Sequence, residues 1–346
     1  MVIDCDVHNV VGPVQTLEPY LDDHWREVIA TSQFAGPTDQ AHPPNLATSG
    51  RDDLDGAGDA PPGRSAATVA AQLLDPLGIA TALLSCDYGI ESVRNPDAAA
   101  ALARAVNDWQ VTEWLHADDR LRASIVVCAQ QPTAAIAELE HRAGDPRFVA
   151  VYLPVRSAVP YGNRIWWPLW EAIDRLGLVA ELHFGGSPGV APTASGWPSS
   201  WLEEYVDMAS AFAAQVTSLV AEGTFYQFPA LRLSLIESGF AWLPAFLWRF
   251  DKGWRGLRRE IPWTRRLPSE YVRDHVRVAL QPVDGPPDPA AIGRVIGQLD
   301  SDRMLMFSSD YPHRHGSEGL AAVPSGLTGS ERSRLLADNA REHYRL

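Results

Sequence analysis

The 346-residue sequence predicts an α/β chain folded as a single (β/α)8 TIM barrel, with an irregular insertion after the first strand. Three observations carry this prediction. Eight short apolar runs recur along the chain, most of them separated by stretches with helical spacing. The runs are near-continuously hydrophobic, as parallel strands covered on both faces must be. Neither G-x-G-x-x-G nor G-x-x-x-x-G-K-[ST] occurs, so the phosphate loops that mark open nucleotide-binding sheets are missing. Right-handed crossovers between eight parallel strands close most economically into a barrel.

The first run, VIDCDVH at 2–8, opens almost at the first residue. Asp4, Asp6 and His8 are two positions apart, which on a regular strand puts them on one face and Ile3, Cys5 and Val7 on the other. Residues 12–66 have little periodicity and much Pro, Gly and Asp, as in HPPNLATSGRDDLDGAGDAPPG. They are expected to form a lid-like insertion inside one domain spanning 1–346. The other strand runs fall at 79–86, 123–128, 149–154, 178–184, 232–238, 276–282 and 304–312. Helical stretches follow at 97–116, 133–143, 167–176, 200–222, 269–275, 289–299 and 330–344, and starts such as Asn95-Pro96-Asp97 supply N-terminal signals.

Composition narrows the partners. Hydrophobic residues make up 46% and charged residues 21%, which leaves ample material for a globular core. With 43 acidic against 29 basic residues and a net charge of −14, the chain repels phosphates, so nucleic acid is not an expected partner. No run of 18 apolar residues is present, so no membrane span is expected, and Asp4 and Asp6 interrupt any secretory h-region. Cys5, Cys86 and Cys128 all lie in apolar runs and read as reduced thiols of a cytoplasmic protein. Trp166, Trp167 and Trp170, and a second group of Trp248, Trp254 and Trp263, fit either core packing or a subunit interface, and a homodimer is expected.

Barrel chemistry sits at the carboxyl ends of the strands. Those ends carry Asp6 and His8, then His183 followed by Gly185 and Gly186, then Glu237, and finally Asp310 with His313. Imidazole nitrogen and carboxylate oxygen together suit a divalent cation. Asp6, His8, His183 and Asp310 are therefore the expected metal ligands, with Zn²⁺ as the expected ion and Mn²⁺ or Fe²⁺ also compatible. Asp310, Glu237 and His313 are the expected catalytic groups, able to take or give protons. Asp4, one step deeper, is expected to have a structural part.

Several longer motifs spread over nearly the whole chain: IDCDVH, LLDPLGIATALLS, HFGG, ESGFAWLPAFLWRFDKGWR, LPSEYVRDHVRVALQP, FSSDYPH and LADNAREHY. Together they resemble the amidohydrolase-related family, the branch of the metal-dependent amidohydrolase superfamily that includes aminocarboxymuconate semialdehyde decarboxylase and the resorcylate-type decarboxylases. The resemblance implies the same metal ligands, Asp6 and His8 on strand one, His183 on strand five and Asp310 on strand eight. The chain departs from the family at two of these ends. Asp6 stands where members often have His or Glu, and Glu237 stands where the decarboxylases have a histidine that handles protons. Members with two ions bridge them by a modified lysine at the end of strand four. Lys252 is the only lysine here and lies away from every strand end, so one ion is expected.

With no histidine at strand six, the expected activity is that of a mononuclear metal-dependent hydrolase. It would cleave a C–N or C–O bond, in an amide, ester or lactone of a small organic-acid substrate, through metal-activated water. The alternative is a metal-dependent non-oxidative decarboxylase of an aromatic or unsaturated carboxylic acid, with Arg156 or Arg314 anchoring the anion.

Overall fold

The computed structural model describes residues 1–38, 41–44, 50–54, 60–187 and 189–346. Eight parallel strands form one sheet in sequence order: β1 (Val2–His8), β2 (Ile79–Ser85), β3 (Leu121–Val126), β4 (Phe148–Pro154), β5 (Val179–His183), β6 (Arg232–Ile236), β7 (Val276–Ala279) and β8 (Leu305–Met306). The expected barrel is present and nearly closed. The 304–312 run gives a strand of two residues, yet its continuation still completes the ring against β1. Cys5 N donates to Phe307 O at 3.0 Å, His8 N to Tyr311 O at 2.8 Å, and Asp310 N to Asp6 O at 3.1 Å. Beyond the strand, Asp310 turns left-handed at φ 52°, and Val7 still bridges Tyr311 in parallel.

The helices between the strands begin where proline allows. Pro96, Pro132, Pro168, Pro244, Pro268 and Pro289 stand in the first turns of helices at Pro96–Trp109, Pro132–Arg142, Trp167–Leu176, Leu243–Leu257, Pro268–His275 and Pro289–Gly297. There the missing N–H would have had no partner anyway, and φ is already helical. Asn95 and Ser200 cap their helices through the side-chain oxygen. Between sheet and helices lies the main core, with Leu74, Val106, Trp114, Leu139, Trp170 and Phe212 fully or almost fully buried. Burial of each aliphatic or Phe side chain of that kind contributes roughly 1.5–3 kcal/mol. Trp166 and Trp170 belong to this core, whereas Trp248 is largely exposed.

The first strand differs from its expected pattern in a way that shapes the site. Asp4 pairs with Ala82 but Val7 with Leu84, so β1 carries one extra residue between them. A bulge of this kind shifts the faces of a strand. Ile3 and Cys5, not Asp4, join an inner cluster with Leu83, Ala150, Val179 and Met306, while Asp6 and His8 still reach the mouth. Asp4 instead accepts hydrogen bonds from Ser309 N at 2.9 Å and Asp6 N at 3.2 Å, which ties β1 to the turn after β8. The C-terminal helix, Asn339–Tyr344, packs on the inner cluster, and the Tyr344 hydroxyl donates to Glu181 Oε1 at 2.7 Å.

The 12–66 insertion is more ordered in part than its composition implies. It contains a turn of helix at Val14–Tyr20 and a helix at Asp23–Thr31, with Val14, Leu17 and Ile29 buried. Its residues 39–40, 45–49 and 55–59 lie outside the described residues. The described part reaches the turn after β8, where Arg51 N donates to Pro312 O at 3.0 Å, and the helix Trp201–Ala221, where His42 N donates to Glu204.

Candidate metal centre

Bulge, strand end and turn bring all six of the expected side chains into two overlapping groups. Asp6, His8, His183 and Glu237 each offer a ligand atom within 4.8 Å of the others, and so do His8, Glu237, Asp310 and His313. His8 Nε2 lies 3.1 Å from Glu237 Oε1 and 3.0 Å from Asp310 Oδ1. His183 Nε2 lies 3.4 Å from Asp6 Oδ1. Among the expected ligands, Asp6, His8 and His183 thus form one group with Glu237, and Asp310 meets that group at His8. Glu237 (φ 58°) and Asp310 (φ 52°) both adopt the left-handed conformation, which costs a non-glycine residue on the order of 1 kcal/mol or more. These two turns end the strands beside the donor group, a pattern that propensity does not produce.

The donor set fits a divalent cation. Both Asp6 oxygens and His183 Nε2 are buried without a hydrogen-bond partner among the described residues. A buried carboxylate in that state costs several kcal/mol unless a cation balances it. His183 Nδ1 donates to Phe184 O at 2.9 Å, which leaves the Nε2 lone pair turned toward Asp6 and the ligand position. Charge tells the same story. Burial lowers the two imidazoles, but the carboxylates outweigh it: Asp310, Asp6 and Glu237 push His8 up to about 10, and Glu237 and Asp6 push His183 up to about 10. The pocket gathers protons where a divalent ion would serve, and metal binding would return both rings to neutral donors.

Asp310 sits among three imidazoles. His313 Nδ1 and His315 Nε2 each lie 2.7 Å from it, on Oδ1 and Oδ2 respectively, and His8 Nε2 shares Oδ1. Burial raises the Asp310 carboxyl, but His313, His315 and His8 hold it well below the usual carboxylate range. His313 projects into a cavity of about 1140 Å³ at the barrel mouth, which His8, Glu237, Asp310 and Asp87 also border. One wall of that cavity is aromatic: Phe184, Trp201 and Tyr205 stand with ring centroids 5.5–6.1 Å apart. Trp201 and Tyr205 come from the helix Trp201–Ala221.

The two arginines expected to anchor an anion differ in position. Arg156 is buried against Glu204 and the carbonyl of Gly185, away from the cavity lining. Arg314 borders the cavity and donates to Gly50 O at 3.0 Å. Sequence reasoning missed His315, Asp87 and the aromatic wall. His315 had a signal, two residues after His313 in PHRHG, and Asp87 directly follows the 79–86 run. The wall had a partial signal, Trp201 and Tyr205 one helical turn apart, but only the fold brings Phe184 beside them.

The family model for amidohydrolases matches residues 3–346 of this chain. A gamma-resorcylate decarboxylase of Rhodococcus jostii (strain RHA1) is 25% identical over 303 residues, covering 80% of this chain and 86% of its own. A dihydroxybenzoic acid decarboxylase of Polaromonas sp. JS666, solved with manganese and the inhibitor 2-nitroresorcinol, superposes with a TM-score of 0.67 at 20% identity, covering 100% of this chain and 97% of that one. A 5-carboxyvanillate decarboxylase of Novosphingobium aromaticivorans DSM 12444, complexed with manganese and 4-hydroxy-3-methoxy-5-nitrobenzoic acid, gives 0.70 at 17% identity, with coverage of 100% and 96%. At these identities the two structures speak for the fold. No helix among the described residues is long and apolar enough to cross a membrane.

Proposed function

The chain belongs to the amidohydrolase family, and we propose that within it the protein is a metal-dependent non-oxidative decarboxylase of hydroxylated aromatic acids. The hydrolysis expected from the sequence is corrected. It rested on Glu237 replacing a histidine at strand six, but the curated relative that spans 80% of the chain is a decarboxylase. The proton-handling imidazole that strand six lacks is supplied from the turn after β8. The observation that supports the reading best is His313, held on Asp310 at 2.7 Å and open to an aromatic-walled cavity beside the donor group.

Asp6, His8, His183 and Glu237 would hold the ion, whose contribution when bound is to fix and polarise the substrate's carboxylate. The remaining steps belong to the chain. Phe184, Trp201 and Tyr205 present an apolar face to the substrate ring. Asp310 stays ionised and accepts from His313 Nδ1, which fixes the imidazole and leaves Nε2 as its second proton-carrying atom. Protonated His313 gives that proton to the ring carbon bearing the carboxylate. The bond from this carbon to the carboxylate then breaks, its electron pair restores the aromatic ring, and CO₂ leaves. The net change is carboxylate plus proton to arene plus CO₂. His313 afterwards regains a proton from solvent through the cavity.

Purified protein reconstituted with metal is expected to release CO₂ from at least one member of a hydroxybenzoate panel. Hydrolysis of amides, esters or lactones without any CO₂ from that panel would sink the reading. As the ion we propose Mn²⁺, over the zinc expected from sequence. The proposed ligands are two carboxylates, Asp6 and Glu237, and two imidazoles, His8 and His183, a set compatible with manganese, the ion bound in the Polaromonas and Novosphingobium decarboxylases. We also propose a homodimer built on exposed apolar surface such as Trp248 and Leu257, and a cytoplasmic location that suits the buried free thiols Cys5, Cys86 and Cys128. Light scattering is expected to give twice the 37.9 kDa chain mass, and a monomer at micromolar concentration would overturn the dimer.

A further inference from the structure

The helix Trp201–Ala221 inverts the usual placement of side chains in its first turns. Glu204 is 1% exposed, held by Arg156 and the His42 N–H, whereas Leu202 and Val206 are 69% and 70% exposed. A buried acid beside bare aliphatic side chains is the reverse of what burial alone selects. The bare residues are not scattered. Leu202, Tyr205, Val206 and Ala209 recur at i, i+3, i+4 and i+7, which makes one stripe along one helix face, and all four border the cavity at the metal centre. Tyr205 also belongs to the aromatic wall, 6.1 Å from the Phe184 ring and 6.0 Å from the Trp201 ring, so the stripe continues the surface on which a substrate ring rests. Pro37 of the insertion and Val283 after β7 border the same cavity. Its volume of about 1140 Å³ is that of a pocket for a ligand larger than one ring; pockets that enclose drug-sized ligands span roughly 300–1,000 Å³. A single hydroxybenzoate on the aromatic wall leaves Leu202 and Val206 in water, and the decarboxylation steps use neither residue.

We propose that Leu202 and Val206 determine specificity by holding an apolar extension of the substrate, an alkyl chain or second ring carried on the side away from the carboxylate, so that the preferred acids are larger than a single ring. With the carboxylate at the metal centre, the remote ring positions turn toward the mouth, where these two side chains stand. Each methylene that leaves water completely for such a surface tightens binding by roughly fourfold. A second copy of the chain seated on the stripe would cover the mouth that these residues border; the substrate's own extension covers the same surface and leaves the mouth in use. The aromatic acid head rests on the decarboxylase reading, and the extension rests on the stripe.

The test compares 2-hydroxybenzoate with its 4- and 5-alkyl derivatives, from methyl to hexyl, on the Mn²⁺-reconstituted protein, both by calorimetric binding and by CO₂ release. In the better of the two series, wild type is expected to bind the butyl acid about 30-fold more tightly than the parent, part of the gain that full burial of four carbons would give. Leu202→Ser combined with Val206→Ser is expected to shrink that ratio to about threefold, and Leu202→Ser alone to an intermediate value. Metal content and circular dichroism like wild type separate this from misfolding, and the single variant carries the test if the double one does not fold. Affinity that does not rise with chain length in wild type, or a rise that the double variant keeps, overturns the proposal. So does a wild-type dimer that the double variant turns into a monomer with the rise unchanged, which would mark the stripe as a subunit contact. A rise in affinity with no CO₂ from any acid would sustain the proposal and sink the decarboxylase reading, whereas CO₂ release without the rise would do the reverse.

Discussion

Asp310→Asn is expected to lower kcat for CO₂ release by about 10³-fold while the protein keeps its metal, because loss of an oriented proton donor removes roughly 10²–10⁴ of rate. The substitution preserves shape but not chemistry. Asp310 accepts from His313, His315 and His8, and an asparagine can offer one carbonyl where the carboxylate offered two oxygens. Its amide N–H groups would face imidazole nitrogens that also carry protons, so His313 would swing from its position or lose its proton. Neither state can protonate a ring carbon. The ion, in contrast, would keep Asp6, His8, His183 and Glu237. Retained metal with lost turnover therefore marks Asp310 as the group that orients His313. Loss of metal and activity together would return it to the ligand role expected from sequence, and a kcat within tenfold of wild type would remove it from both.

The fold was legible in the sequence because it depends on period. Apolar runs such as IATALLS and VYLP, with helical spacing between them, name a parallel barrel whichever residues fill it. The candidate site was legible as a set of residues but not as an arrangement. Asp6, His8, His183 and Asp310 were each visible at a strand end, yet strict alternation placed Asp4 beside them, and the bulge in β1 sends Asp4 to Ser309 instead. Glu237 was expected to act on protons, and it lies in the donor group because its backbone turns left-handed, an arrangement tertiary contacts impose and no local pattern announces. The reaction was misread for a related reason. A missing histidine at strand six reads as missing proton chemistry only while His313 and His315 are not seen to converge on Asp310 from the following turn.

His183→Ala is expected to abolish stoichiometric metal binding, from about one ion per chain to below a tenth, and with it activity by more than about 10³-fold. His183 is the donor best prepared for the task, with Nδ1 held on Phe184 O and Nε2 buried without a hydrogen-bond partner beside Asp6. Loss of its partner leaves the Asp6 carboxylate buried and uncompensated, a change that typically destabilises by about 3–5 kcal/mol. Stability supplies a readout independent of turnover. An ion at a free concentration of 100 times its Kd stabilises the native state by about 2.7 kcal/mol, so chelation should lower the denaturation midpoint of wild type and leave that of His183→Ala unmoved. Elemental analysis of protein purified without chelator identifies the ion, and manganese above zinc is the proposed outcome. A variant that keeps its metal would remove His183 from the ligands, whereas a wild-type midpoint indifferent to chelation would show that the buried oxygens of Asp6 are balanced by protons on His8 and His183 and not by a metal ion.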